Sequence, residues 1–520
     1  MRKLATVLVV ALVLLAGCSG LTGSDTTTES PTASPTVTPT ESPAPTATPT
    51  EEPTEEPTEE PTETTEEEPK AVHPPDPDED VLGWEDGLWY NETVVVDRSN
   101  GLNDTELDKV VARSMARVEV VRQLEFEKSV PVKVVSREEY KANFSGGYNW
   151  TTKDRLHQNT KWEAMLMVNQ STDAIEVQMQ NQGATVGGFY SPTDERIVIV
   201  SENATSPKMN EITLSQELFH ALQDQRFNLT GFNQSTQEWH NAKDGIIEGD
   251  GNLVDHLYEK RCQGGWDCLM PQPSSGGGGG GASIHFGMYL VTFQPYSDGP
   301  PFVKGIYNEQ GWEGVNDLYE NPPKSTEQVI HPEKYGEDEP TLPEIDHTPS
   351  NGWHVLEMGE GSINYAVFGE AGLSTMLFYP YYHSGRTKTP VLGQRDFFNI
   401  TSSGQLSSID PLNYSNKYTS GWDGDKLVPY VKGEASEDSP QGYVWKMNWD
   451  SEEDAKEFVD GYEKLFKYYG GEHVEGDVWK IAEGNEFADA FWIHQEGDTV
   501  IIVNAPNQDA LDDVHAGAGS

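Results

Sequence analysis

The sequence predicts an α+β fold, in which a mostly helical body with a small sheet precedes a carboxyl-terminal α+β module. Apolar residues recur at helical spacing in several segments of the first part, as in Asp104–Gln123. Strand and hairpin patterns dominate after about residue 420. An aromatic content of 10%, with 13 Trp, indicates that these segments form hydrophobic cores.

The body, residues 80–415, begins with the helix Asp104–Gln123 and a strand at 130–136. A hairpin over Gly188–Val200 turns at a Ser-Pro-Thr-Asp sequence. Apolar spacing predicts further helices at Arg137–Asn143, Trp162–Val168, Glu211–Gln225, Lys243–Tyr258, Phe286–Phe293, Val303–Tyr319 with an interruption near Gly311, and 361–379.

The carboxyl-terminal module, residues 416–506, alternates strands and a helix, and residues 507–520 are assigned to a tail. The predicted elements are the strand Val444–Trp449, the helix Ser451–Tyr469, the strand Val478–Ala482 and a hairpin over Ala488–Val503 that turns at 496–498.

The amino terminus, residues 1–18, has the features of an export signal. A short cationic start, Met1-Arg2-Lys3, precedes an apolar run that ends at Gly17. This run is shorter than the roughly 20 residues needed to cross a bilayer, and it is typical of a signal peptide. The sequence Leu15-Ala16-Gly17-Cys18 resembles the lipobox of prokaryotic lipoproteins, so we expect Cys18 to carry membrane lipid and to hold the protein at the extracellular face of the cell membrane. The alternative is an ordinary signal peptide cut nearby, with Cys18 incidental.

Residues 19–70 consist largely of Thr, Ser, Pro and Glu and show no apolar periodicity. Such a segment cannot bury enough surface to offset its loss of entropy on ordering. Proline and like-charge repulsion favour an extended chain, which spans on the order of 100 Å. We therefore predict a disordered stalk, of a composition suited to O-glycosylation.

The formal net charge is −51. A protein of this charge lacks the basic surface that neutralises phosphates, so nucleic acid is excluded as a partner. One explanation is adaptation to high salt, where self-repulsion is screened within a few ångströms. The alternative is an acidic secreted protein without such adaptation.

Three cysteines occur, and Cys262 and Cys268 remain once Cys18 is assigned to lipid. In an oxidising exterior, a close pair flanking a Gly-Gly turn predicts a disulfide. The exported chain also carries many Asn-X-Ser/Thr sequons, which predict N-glycosylation of some of them. These sequons start at Asn91, Asn103, Asn143, Asn149, Asn169, Asn203, Asn228, Asn233, Asn399 and Asn413.

The helix over Glu211–Gln225 carries a candidate site. In a His-Glu-x-x-His helix, two imidazoles on one face bind zinc and the glutamate serves as general base. Here His220 and Glu217 are present, but Gln216 occupies the place of the first histidine. Alone, Glu-x-x-His is a very weak signal, and a solvated helical face is the more common explanation.

The surrounding sequence resembles a group of zincin-like metallopeptidases of the gluzincin type. Leu218, the run Ala221–Gln225 and Phe227 match their motif helix, and Ile247-Glu248-Gly249-Asp250-Gly251 matches the setting of their third ligand. Further matching segments, among them Pro295-Tyr296-Ser297-Asp298-Gly299, follow in order through residue 505. The chain is most similar to a haloarchaeal surface lipoprotein family of unassigned function. The resemblance implies a zincin-like body with His220 and Glu248 as metal ligands.

Because an amide oxygen is a poor zinc donor beside imidazole, we expect an envelope binding or structural protein with a catalytically inactive ectodomain, without a firm cofactor. Cell-envelope components are the expected partners. The alternative is an active zinc metallopeptidase with an atypical ligand set. In that case Glu217 is the base, and a histidine such as His240, His256 or His331 replaces the missing ligand.

Overall fold

The computed structural model describes residues 73–519 apart from 98–100, 146–149, 202–206, 208–209, 270–283 and 384–387. The predicted signal peptide, Cys18 and the stalk lie outside the described residues, as do the sequons at Asn149 and Asn203. Within the described part of the chain, no helix is both long enough and apolar enough to cross a bilayer.

The fold is α+β, as predicted, with a helical body and a large carboxyl-terminal sheet. In chain order the helices are α1 (Asp104–Arg122), α2 (Arg137–Ser145), α3 (Thr152–Ala164), α4 (Ala174–Thr185), α5 (Glu211–Phe227), α6 (Gln237–Gly264), α7 (Phe286–Glu320), α8 (Thr326–Ile330), α9 (Gly369–Phe378), α10 (Pro380–His383), α11 (Gln394–Phe397), α12 (Glu452–Tyr468) and α13 (Gln508–Val514).

The strands of the described residues form three sheets. A small pair joins β1 (Trp84–Glu85) and β2 (Leu88–Trp89), and the other strands are β3 (Val132–Ser136), β4 (Gly188–Ser191), β5 (Arg196–Ser201), β6 (Trp353–Val355), β7 (Trp422–Lys432), β8 (Gln441–Trp449), β9 (Gly471–Glu475), β10 (Val478–Ile481), β11 (Ala490–Glu496) and β12 (Thr499–Ala505). The body sheet has the order β3-β5-β4, with β3 parallel and β4 antiparallel to β5. The carboxyl-terminal sheet is antiparallel, in the order β6-β7-β8-β12-β11-β10-β9.

Most predicted elements are confirmed. Both hairpins form, and the kink expected in α7 lies at Gly311, where φ is 67°. The helix predicted over Trp162–Val168 is wrong. Helix α3 ends at Ala164, and the chain then turns through Leu166, which has a φ of 50°. Apart from Glu163, residues 162–168 are apolar. They are apolar because they lie in the hydrophobic core, and not because they form a helix.

The largest hydrophobic core runs through both the helical body and the carboxyl-terminal sheet. The ring centroids of Phe368 and Trp445 lie 5.0 Å apart, and Asp425 on β7 accepts hydrogen bonds from the backbone N–H groups of Phe368 and Gly369. The predicted domain boundary at 415/416 therefore lies within a stretch of chain that shares one core. The predicted tail contains α13, whose Leu511 packs against the sheet.

Candidate metal centre

Helix α5 carries the motif, and a buried charge cluster fixes where this helix begins. Glu211, its first residue, accepts hydrogen bonds from Arg113 Nη2 at 2.9 Å and from Arg117 Nη1 at 2.6 Å. The Tyr258 hydroxyl and the Leu269 N–H also donate to Glu211, each at 2.7 Å. These contacts tie α5 to α1, to α6 and to the segment after the disulfide, so the buried face of α5 is held in register with α6.

Two of the predicted ligands meet between α5 and α6. The Nε2 atom of His220 lies 3.7 Å from Oε2 of Glu248, and both side chains are buried. Two ligands of a tetrahedral zinc ion, each about 2.1 Å from the metal, lie roughly 3.4 Å apart. The observed separation is therefore close to that of a shared ion.

Gln223 fixes the tautomer of His220. Its Nε2 donates to the Ile247 carbonyl at 3.0 Å and to the Tyr319 hydroxyl at 2.5 Å, so its Oε1 must face His220 Nδ1, at 2.7 Å. Since an amide oxygen can only accept, Nδ1 donates and Nε2 keeps its lone pair. A metal-bound histidine is commonly oriented by such an acceptor on its other nitrogen.

The hydrogen-bond network continues away from the pair. The Tyr319 hydroxyl donates to Asp250 at 2.8 Å, and Asp250 forms a buried ion pair with Arg122 at 3.0 Å. The guanidinium of Arg122 in turn lies 4.4 Å from the ring centroid of Trp312. Asp250, part of the matched Glu-Gly-Asp-Gly sequence, therefore supports the orientation of Gln223 and does not face the pair.

Several buried polar atoms at this site lack a hydrogen-bond partner among the described residues. They are Nε2 of His220 and both carboxylate oxygens of Glu217 and of Glu248. A buried polar group left unsatisfied costs about 1–3 kcal/mol, more if it is charged. A cation bound between His220 and Glu248 would satisfy Nε2 of His220 and the Glu248 carboxylate, so this donor pair fits a divalent metal ion.

Burial also determines the protonation states in the absence of such an ion. It raises the pKa of Glu217 well above its usual value, with a further contribution from Asp255. It raises the pKa of Glu248 in the same way, with Asp244 as the next cause, and it lowers the pKa of His220 to about 4. The imidazole is therefore neutral at pH 7, which is the form that binds a metal.

Tyr296 on α7 is a member of the site that the motif did not identify, although its segment belongs to the resemblance. Its hydroxyl lies close enough to Glu248 to offset part of the rise in the pKa of that carboxyl, although no hydrogen bond of ordinary geometry joins the two groups. Close packing of α6 on α7 brings it there. A Cβ on Gly249 would lie 2.4 Å from the Gly299 carbonyl oxygen, so this contact requires glycine.

Gln216 lies one turn before His220 and is 5% exposed. Its side chain makes no hydrogen bond with the residues that the structure describes. Across the same residues, no third His, Cys, Asp or Glu offers a ligand atom within 4.8 Å of both His220 and Glu248. Gln216 therefore remains the candidate for a third protein ligand, through its amide oxygen.

The three histidines proposed as substitutes for the missing third ligand either pair with other carboxylates or lie at the surface. His240 pairs with Asp244 at 3.1 Å, His256 is exposed, and His331 pairs with Glu370 at 3.0 Å.

A separate cluster of Glu327, Asp338 and Asp450 has the spacing of a cation site. The Lys334 ammonium already contacts all three carboxylates, at 2.6, 3.0 and 2.6 Å. The Lys334 ammonium therefore already occupies the place that a metal ion would take among these carboxylates.

The predicted disulfide is confirmed, with an S–S distance of 2.00 Å between Cys262 and Cys268. Among the sequons, Asn103, Asn228 and Asn233 are exposed, whereas Asn91, Asn169, Asn399 and Asn413 are half-buried. The side-chain amides of Asn399 and Asn413 donate to the carbonyls of Leu412 and Asp396. Asn143 lies on α2.

Residues 355–515 match the model of a domain of unknown function (DUF8575). The match covers most of the carboxyl-terminal sheet and does not include α5 or α6. No match was found among curated proteins. A solved structure from Chloroflexus aurantiacus, provisionally assigned as a hydrolase with a novel fold, is similar over 46% of this chain and 91% of its own, with 14% identity and a TM-score of 0.28. A similarity this weak carries no argument about fold or function.

Proposed function

We propose that this is a lipid-anchored protein of the extracellular membrane face whose ectodomain holds a divalent metal ion, zinc by its resemblance, between His220 and Glu248. In this proposal the ion serves binding or structure at the envelope and not efficient peptide hydrolysis. The observation that carries it is the 3.7 Å approach of an unprotonated imidazole nitrogen to a buried carboxylate that lacks a partner among the described residues.

The proposed ion has a structural consequence. Glu217 and Glu248 are 1% and 0% exposed. Burying a charge is unfavourable, and this cost raises the pKa of each carboxyl group. A divalent cation offsets that cost and joins α5 to α6 through one ligand from each helix. The ion would thereby stabilise the helix pair at the centre of the body.

Two features argue against efficient hydrolysis. The third ligand position holds Gln216, whose amide oxygen binds zinc more weakly than imidazole does. The motif residues Gln216, Glu217 and His220 are all at most 5% exposed. A peptidase must admit an extended polypeptide next to its metal, and these side chains are closed to solvent.

Metal content is the test of this proposal. The ectodomain from residue 73 onward, purified and equilibrated with zinc, is expected to retain about one zinc ion per chain by elemental analysis. Glu248→Gln and His220→Ala are expected to lose it. Glu259→Gln removes an exposed carboxylate from the same helix and should retain the ion. Wild-type protein without zinc, or zinc retained in both site variants, would contradict the proposal.

An active zinc peptidase is the second candidate, and one observation favours it. Glu217 lies three residues before His220 on α5, and neither of its carboxylate oxygens makes a hydrogen bond of ordinary geometry with the described residues, so the carboxylate is available as a general base. The zinc-loaded ectodomain can be incubated with unfolded casein. Cleavage that is abolished by Glu217→Gln while the zinc remains bound would establish the peptidase and reject the inactive assignment.

A further inference from the structure

A cavity lies beside the carboxyl-terminal end of α6, apart from the residues of the metal centre. Its volume is about 540 Å³. Leu257 and Val120 form an apolar part of its wall, and Lys260, Arg261 and Trp266 line the rest together with Tyr90. This volume lies within the range of pockets that bind small organic molecules. The wall contains two cations and no acidic residue.

Arg261 is unusual in this acidic protein. The protein has 86 acidic and 35 basic residues, yet no described carboxylate forms an ion pair with Arg261. Its guanidinium makes no hydrogen bond with the described residues; Nη1 is buried, while the other two nitrogens remain accessible. By contrast, Arg117, which stacks on the same Trp266 ring, forms a buried ion pair with Glu211. Arg261 thus lines the cavity with accessible charged donors that have no partner among the described residues, and a bound anion would supply one.

Trp266 gives the cavity a flat aromatic wall whose position is fixed by the disulfide loop. It lies between Cys262 and Cys268, and its N–H donates to the Arg261 carbonyl at 3.0 Å. Its ring meets that of Tyr258 edge-on, with centroids 5.2 Å apart. The guanidinium of Arg261 lies 5.4 Å from the Trp266 ring centroid. Charge and aromatic surface therefore meet in one place.

We propose that this cavity binds a small organic carboxylate, whose charge pairs with Arg261 and Lys260 and whose apolar body lies against Trp266 and Leu257. Guanidinium and carboxylate form paired, charge-assisted hydrogen bonds, which would use the free donor. The strongly negative net charge repels anions in general. A pocket lined by unpaired cations is what such a protein would need in order to bind one selectively.

Isothermal titration calorimetry with benzoate tests this proposal, at one fixed KCl concentration in which the ectodomain is folded. Benzoate is expected to bind saturably to the wild-type ectodomain. Arg261→Gln should weaken binding by about tenfold or more, as loss of one charge-assisted pair predicts. Lys480→Gln, which removes an exposed cation on β10, should leave it unchanged. Neutral benzamide and inorganic phosphate should both bind more weakly than benzoate.

The outcomes separate a ligand site from a structural arginine. If Arg261 serves packing alone, benzoate will not bind, and Arg261→Gln will lower the melting temperature without any effect on titrations. Equal binding of benzamide would reject the role of charge, and equal binding of phosphate would reject the organic ligand. The double variant Cys262→Ser/Cys268→Ser provides a second check. Freeing the Trp266 loop should weaken benzoate binding, and unchanged affinity would contradict the role given to Trp266.

Discussion

The side chains of His220 and Gln223 form a hydrogen bond of 2.7 Å that turns the unprotonated nitrogen of His220 toward Glu248. Gln223 is held in this orientation by two hydrogen bonds that it donates, to the Ile247 carbonyl and to the Tyr319 hydroxyl. The tautomer of the proposed ligand is therefore set by residues that do not touch the metal.

Gln223→Ala tests that relationship. Loss of a hydrogen-bond partner of a metal-bound histidine typically weakens metal binding about 10- to 100-fold, and we expect a loss of this size for zinc. Competition titration with a chromogenic chelator measures it. Gln225→Ala is the matched control, because Gln225 lies on the same helix but bonds to the exposed 127–128 segment. Equal affinities of the two variants would show that Gln223 has no such role.

Gln216→His restores the imidazole that zincin-like sites carry. If the amide is the weak ligand, zinc affinity should rise by about tenfold or more, since imidazole is a better zinc donor. Casein cleavage should remain low, because the motif side chains stay closed to solvent. Unchanged zinc affinity in this variant would mean that position 216 does not face the ion.

Glu85 and Glu119 provide a test of pH dependence away from the metal site. Burial and the charge of Glu119 raise the pKa of Glu85 to about 9, while Glu119 accepts backbone hydrogen bonds from Gly83 and Phe126. The folded protein therefore keeps a proton that the unfolded chain releases near pH 4.5. Stability must fall as pH rises from about 5 to 9, by at most about 1.4 kcal/mol per pH unit for this proton.

Glu85→Gln keeps a hydrogen-bond donor and removes this titration. Its melting temperature should decline less than that of the wild type when the pH is raised from 6 to 9. Asp108→Asn, which removes an exposed carboxylate from the helix that carries Glu119, should follow the wild type. Parallel curves for the wild type and Glu85→Gln would show that the pair does not share a proton.

The net charge of −51 predicts a dependence of stability on salt. Self-repulsion acts over about 10 Å at 0.1 M salt but only about 3 Å at 1 M. We expect the melting temperature of the ectodomain to rise steeply between 0.1 and 2 M KCl. Equal stability in dilute buffer and in molar KCl would contradict the assignment to high salt.

Much of the fold could be predicted because local patterns determine it. Alternating apolar residues predict the hairpins β4–β5 and β11–β12, and helical spacing of apolar residues predicts α12. The structure contains all three elements. The apolar run at 162–168 misled prediction, because a segment buried on all sides shows no period that separates helix from coil.

The candidate site could be predicted in part. His220 follows from the Glu-x-x-His motif, and Glu248 follows from the resemblance to zincin-like peptidases. Gln223 and Tyr319 could not be identified, since their role depends on how α5, α6 and α7 pack together. Arg261 was not identifiable either, because its lack of a carboxylate partner among the described residues is a property of the folded surface.

The most direct test of the central claim is the position of the ion. Crystals of the ectodomain soaked in zinc, measured at the zinc absorption edge, should show an anomalous peak between His220 Nε2 and the Glu248 carboxylate, and no such peak in Glu248→Gln. A zinc peak elsewhere in the wild-type crystal, with His220 and Glu248 still 3.7 Å apart and no ion between them, would contradict it.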